Sequence, residues 1–195
     1  EVVFPAGILQ PPFYNPDADA AINYGAIGGV IGHEFSHGFD DQGAKYGPDG
    51  NLENWLTAED KAQFDSLTTQ LADQYSSYEV LPGVNVNGRL TLGENIADLG
   101  GLTLAYYAYQ NWKGDKEIEP IDGFTDEQRV FLGWAQVWQS NGRDEYFKNQ
   151  VTTDPHSPAE FRVSGTVSNM PEFKAAFGCE DGENLKAAGE EITIW

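Results

Sequence analysis

Residues 24–38 constrain this chain more than any other stretch. The run is apolar and carries Gly25, Gly28, Gly29 and Gly32 before it turns polar at His33. Each glycine costs a helix about 1 kcal/mol against alanine. A segment that keeps four of them in close succession implies that another backbone or side chain packs against it nearer than a Cβ would allow.

The polar end of that run reads His33-Glu34-Phe35-Ser36-His37. On a helix, residues four apart share a face, so both imidazoles can reach one ion. The glutamate next to the first histidine can then face a water on that ion. The competing reading is a surface helix with two histidines by accident. A catalytic zinc takes three protein ligands and keeps one position for water. His156, the only histidine left, is one candidate for the third. The other is Glu94, in Gly93-Glu94-Asn95-Ile96-Ala97-Asp98. Glu94 and Asp98 are again four apart. One carboxylate can bind the ion while the other accepts the free N–H of a ligand histidine, which fixes its tautomer. Asp40, three residues after His37, can do the same for the second ring. The neighbours Ile96, Ala97, Leu99, Gly100, Gly101 and Leu102 are apolar or small, so the segment is expected to be buried. Buried carboxylates are rare unless paired or metal-bound. That favours Glu94, with His156 as the alternative.

The chain has 195 residues, 40% apolar and 13% aromatic, enough for a sizeable core. Its formal charge of −20 repels phosphate backbones and anionic lipid, which argues against nucleic-acid and membrane-surface binding. No apolar run reaches the roughly 20 residues of a membrane span. Cys179 is the only cysteine, so neither an internal disulfide nor a thiolate metal pair can form. No signal peptide is visible, and the missing initiator methionine suggests a piece of something longer. Val2, Val3, Phe4, Ile8 and Leu9 predict a strand stopped by Pro11-Pro12. Long helices are predicted from Thr57 to about Ser77, from Leu92 to Trp112 and from Asp126 to Phe147. A hairpin is predicted around Asn87-Gly88 within Val84–Leu92. Asp154–Pro158 reads as a loop, and a short helix over Pro171–Phe177 precedes an irregular tail. With four or five helices, few strands and no βαβ alternation, the fold class is mainly α.

The chain resembles the C-terminal part of the neprilysin and endothelin-converting-enzyme family of zinc endopeptidases. The likeness runs from Val3 to Pro12, through Asn23-Tyr24-Gly25 to Gly38-Phe39-Asp40-Asp41, and over Leu90–Asp98. It continues with Ala135–Trp138, Asp154 with His156-Ser157-Pro158, Arg162, and the terminal Trp195. The resemblance implies the helical part of a thermolysin-like catalytic domain with few short strands, residues 1–195 forming one segment of it. It implies one Zn2+ held by His33, His37 and Glu94, with Asp98 and Asp40 orienting the imidazoles. It gives catalytic parts to Glu34 as general base, His156 as donor to the oxyanion, and Asp98. Arg162 would hold a substrate carbonyl. Ile8, Phe13, Val30, Val137 and Trp138 match positions lining a pocket for a large apolar side chain after the scissile bond, with ordinary core as their other reading. Peptides are the implied substrates.

Family members are several times longer, and the upstream part that supplies a sheet and most of a second helical domain is not in this chain. Gln70 and Gln139 stand where vertebrate members have disulfide cysteines, and Ile192–Trp195 has none, which suggests a bacterial relative. The lone cysteine leans towards the cytoplasm. Trp55-Leu56 replaces a paired-aromatic pattern. Two rivals remain: a zinc aminopeptidase, whose third ligand would be sought at Glu53 or Glu59, and a non-catalytic zinc-binding module. The sequence leaves the oligomeric state open.

Overall fold

A computed structural model describes residues 1–179 and 191–195. Its helices are α1 (Ala20–Asn23), α2 (Gly29–Ser36), α3 (Ala58–Ser76), α4 (Leu92–Lys113), α5 (Asp126–Val137), α6 (Asp144–Thr153), α7 (Ala159–Val167) and α8 (Pro171–Phe177). A π-helical turn over Tyr24–Gly28 joins α1 to α2 in one continuous run, which ends in a 3-10 turn over His37–Phe39. The only sheet among the described residues pairs β1 (Glu79–Leu81) with β2 (Val84–Asn85), antiparallel. The mainly helical reading holds. No helix among the described residues is long and apolar enough to cross a membrane.

Local signals start the helices where the residues ask for them. Thr57 caps α3 by accepting from the Asp60 N–H, and Glu59 and Asp60 lie in the positive first turn. Thr125 and Gln128 form a reciprocal capping box on α5. Pro171 opens α8, and Gly178 ends it in the left-handed region.

The core has two parts. One gathers Ile27, Val30, Leu99, Leu102, Tyr109, Val130, Phe131 and Trp134 from the α1–α2 run, α4 and α5. The other gathers Phe64, Leu71, Tyr75, Ile96, Phe161 and Ile192 around α3 and the start of α4. Helix α4 belongs to both, which is why its first half, through Leu102, is buried nearly all round. Arg129 donates to Asp19 at 2.6 Å and ties α5 to the start of α1. Lys113 and the Tyr109 hydroxyl both meet Asp126, at 2.7 and 2.9 Å, and tie α5 to α4.

Three expectations fail. The opening residues form no strand; Pro5 leads into a 3-10 turn over Ala6–Ile8, and no described segment pairs with them. The hairpin turns at Gly83, with φ +75°, and not at Asn87-Gly88. There the Asn87 side chain accepts from the Leu90 N–H, and Gly88 packs so tightly on α3 that a Cβ would overlap the Ala72 carbonyl. The predicted helix from Asp126 to Phe147 is two helices, because Ser140-Asn141-Gly142 favour turn conformations and Arg143 is extended. Helix α7 was not foreseen. The predicted irregular tail is without regular structure over 191–195; residues 180–190 lie outside the described residues.

Candidate metal centre

The glycines place the site. A Cβ on Gly32 would overlap the Gly101 carbonyl oxygen, and one on Gly101 would overlap the His33 backbone nitrogen. Helices α2 and α4 therefore cross almost backbone to backbone, and side chains near the crossing reach each other directly. His33 is buried there, with Nε2 3.1 Å from Glu94 Oε2. His37, one turn on, has Nε2 3.7 Å from the same oxygen. One ligand atom from each of His33, His37 and Glu94 falls within a mutual 4.8 Å.

Each ring is held from behind. His33 Nδ1 lies 2.7 Å from Asp98 Oδ1, and His37 Nδ1 lies 2.8 Å from Asp40 Oδ2. Asp40 is itself fixed by the backbone N–H groups of Gln42 and Gly43 on its other oxygen. With Nδ1 as donor, Nε2 of each ring is the atom left to bind a cation. Asp98 is fully buried and is forked by Arg162: Nε to Oδ2 at 2.7 Å and Nη2 to Oδ1 at 2.6 Å. Burial opposes its charge, but Arg162 and His33 outweigh that and hold its pKa below the usual carboxylate range.

His156 comes from the loop before α7. Ser157 Oγ donates to Asn95 Oδ1 at 2.8 Å, and Asn95 in turn donates to Thr91, all three being buried, so the loop is fastened to α4. His156 Nε2 lies 3.2 Å from Glu94 Oε2, and its Nδ1 lies 2.8 Å from Asp154 Oδ1. Its side chain is 44% exposed, and it is not part of the compact set of His33, His37 and Glu94. Three imidazole nitrogens thus face one buried carboxylate oxygen. Something positive is required among them. In the metal-free chain it is a proton: burial opposes charging His33, yet Asp98 and Glu94 prevail and push it up to about 9. Glu94 is held below its ordinary value, the three histidines outweighing its burial. Two nitrogens and one oxygen are the donor set of a catalytic zinc, so the residues fit the ion that the motif implies.

Glu34 is exposed on α2 beside His33. Ile8, Phe13, Val137 and Trp138 pack as partly buried residues on the cluster that contains Val30, so the five share one apolar region. Glu53 and Glu59 are both exposed, and neither joins the converging set. An apolar groove of about 650 Å³ lies elsewhere, bordered by Phe35, Phe39, Leu104, Tyr107, Ile194 and Trp195. Asp154, Asn95 and Ser157 were missed as site residues. Asp154 left a signal: an aspartate two positions before a histidine can accept from its backbone N–H, as it does here at 2.9 Å.

The model of peptidase family M13 matches residues 1–191. The chain belongs to that family. Human endothelin-converting enzyme 1 is 51% identical over 198 residues, covering 100% of this chain and 26% of that protein. Neprilysin-3 of Drosophila melanogaster is 44% identical over 199 residues, with 100% and 25% covered. The inhibitor complex of the Mycobacterium tuberculosis zinc metalloprotease Zmp1 superposes with a TM-score of 0.93 at 47% identity, covering 98% of this chain and 30% of that one. PepO from Lactobacillus rhamnosis gives 0.85 at 39% identity, with 98% and 29% covered. The chain therefore spans about a quarter of the length of the curated M13 relatives it matches. Homologues in family M13 are zinc metalloendopeptidases, which fits the donor set found here.

Proposed function

We propose that this chain carries the metal-binding half of the active site of a zinc endopeptidase, one that hydrolyses oligopeptides on the amino side of large apolar residues. The supporting observation is the convergence of His33, His37 and Glu94, each histidine held from behind by its own carboxylate. Zinc bound by these three would act as a Lewis acid, polarising the scissile carbonyl and lowering the pKa of a water towards about 7. Glu34, exposed on the same helix, accepts a proton from the attacking water and passes it to the leaving amine. His156, anchored through Nδ1 to Asp154, donates from Nε2 to the oxyanion of the tetrahedral species. Asp98 and Asp40 hold the ligand rings. Arg162 spends Nε and Nη2 on Asp98, so Nη1 is the atom it offers to a substrate carbonyl. Ile8, Phe13, Val30, Val137 and Trp138 form the wall that receives the apolar side chain.

The rest of the polypeptide completes the cleft. The exposed side chains of Phe35, Phe39, Leu104 and Tyr107 border an apolar groove that upstream residues would cover. Gln70, Gln139 and the single Cys179 favour a bacterial parent working in a reducing compartment. The test is Glu34→Gln in the whole protein, assayed on an N-terminally blocked peptide. Turnover should vanish while one zinc per chain is retained. Loss of the metal would make Glu34 a ligand and refute the scheme; inability of the parent to cleave blocked peptides would exclude an endopeptidase.

A further inference from the structure

We propose that Trp138 is a positioning residue for the metal centre, acting through Arg162; this rests on the reading of His33 as a zinc ligand. Trp138 ends α5, and its ring lies against the Arg162 guanidinium, 3.8 Å from Cζ to the ring centroid. One turn earlier, the buried Trp134 donates from Nε1 to the Arg162 carbonyl at 3.1 Å. The two indoles pack edge to face, 5.3 Å apart. Arg162 is thus gripped twice from α5, by Trp134 on its backbone and by Trp138 on the face of its side chain.

The consequence follows from geometry. A guanidinium is planar, and a two-pronged bond to a carboxylate holds only when the two planes align. The ring under that plane therefore sets the tilt of the fork on Asp98. Asp98 Oδ1 takes both Arg162 Nη2, at 2.6 Å, and His33 Nδ1, at 2.7 Å, so a tilted fork moves the oxygen that orients the ligand ring. Trp138 Nε1 is buried and meets no acceptor among the described residues. A buried indole normally finds a partner for that N–H. Here the side chain is held for its face, not for its hydrogen bond.

The experiment compares zinc affinity, by competition with a chromophoric chelator, and steady-state cleavage of a blocked peptide in the whole protein. Trp138→Leu should weaken zinc binding roughly three- to tenfold, less than the loss that follows removal of a carboxylate touching the ligand itself. Trp138→Phe, which keeps a ring face, should restore most of it. If the Leu variant does not fold, Trp138→Met removes the ring while filling the space. Unchanged zinc affinity in the ring-less variant, with only KM and side-chain preference altered, would leave Trp138 its pocket-wall role alone and overturn the inference. So would a full repeat of the loss on top of Arg162→Lys, because the effect would then bypass Arg162. A parent that binds no zinc at His33 would instead overturn the proposed function itself.

Discussion

Replacing Arg162 by Ala probes the centre of this arrangement. Asp98 is 0% exposed, and Arg162 is 7% exposed. The substitution removes both prongs of the fork, leaving Asp98 with His33 as its remaining charged partner. Breaking a buried ion pair by deleting one member costs about 3–5 kcal/mol, most of it the penalty on the charge left behind. The lost ring contact with Trp138 adds about 1 kcal/mol. Deleting the charge as well removes that penalty, so Asp98→Asn combined with Arg162→Met should recover most of the loss. Arg162 also lowers the pKa of His33 through its charge, so its removal strengthens the hold of a proton on that ring. Zinc affinity near neutral pH should fall with stability in Arg162→Ala. Amide hydrogen exchange over α2 and α4 in metal-free protein measures the opening free energy of this region alone. A loss below about 1 kcal/mol, or a double variant as unstable as the sum of the singles, would refute the idea that the pair compensates a buried charge.

Three other outcomes are expected. His33 is raised from its ordinary 6.5 to about 9 in the metal-free chain, so the stability this gives is complete below pH 6.5 and lost as pH rises through about 9. His37 is raised in the same direction, its bond to Asp40 outweighing burial. Zinc must displace the His33 proton, and at lower pH the His37 proton too, so the apparent association constant should rise at least about tenfold per pH unit below about pH 9; calorimetry in buffers of different ionisation heat would reveal the released proton, and no release would contradict the assignment. Gly101→Ala should drive α2 from α4, costing about 1–3 kcal/mol or more and most of the zinc affinity, because the new Cβ meets backbone that has no alternative rotamer. Zinc binding at parental strength by that variant would show that the tight crossing does not set the site.

Much of this was legible in the residues, for a physical reason. The ligand pair and the pair Glu94 and Asp98 each obey helical spacing, and both segments announce burial through small and apolar neighbours. The glycines of residues 24–38 foretold a close approach without saying to what. Gly25 and Gly29 meet Val130 and Trp134 of α5, Gly28 has room for a Cβ, and Gly32 meets Gly101 of α4, the pairing that brings one motif onto the other. What stayed hidden is what local spacing does not encode. The split between α5 and α6 was obscured by apolar residues on both sides of Ser140-Asn141-Gly142. The opening strand was read from β-branched residues with no partner to pair with. Arg162 came from resemblance alone, and its fork on Asp98 joins residues from α4 and α7.

His156 shows how the two levels meet. In the sequence it is the alternative to Glu94 for the third ligand position, since an imidazole and a carboxylate are both acceptable to zinc. The fold favours Glu94 through its support. Glu94 projects from the first turn of a long helix whose neighbouring residues Asn95, Ile96, Ala97 and Asp98 are all buried, and such a scaffold can hold an ion at fixed distance. His156 stands on a loop fastened by one serine hydroxyl, half exposed, with Asp154 behind its ring. A ring so placed is free to meet charge that develops on a bound peptide, with the carboxylate behind Nδ1 fixing its orientation. On the proposed reading the same residue type is a ligand on α2 and a donor on the loop, and the difference lies in what each backbone segment is packed against.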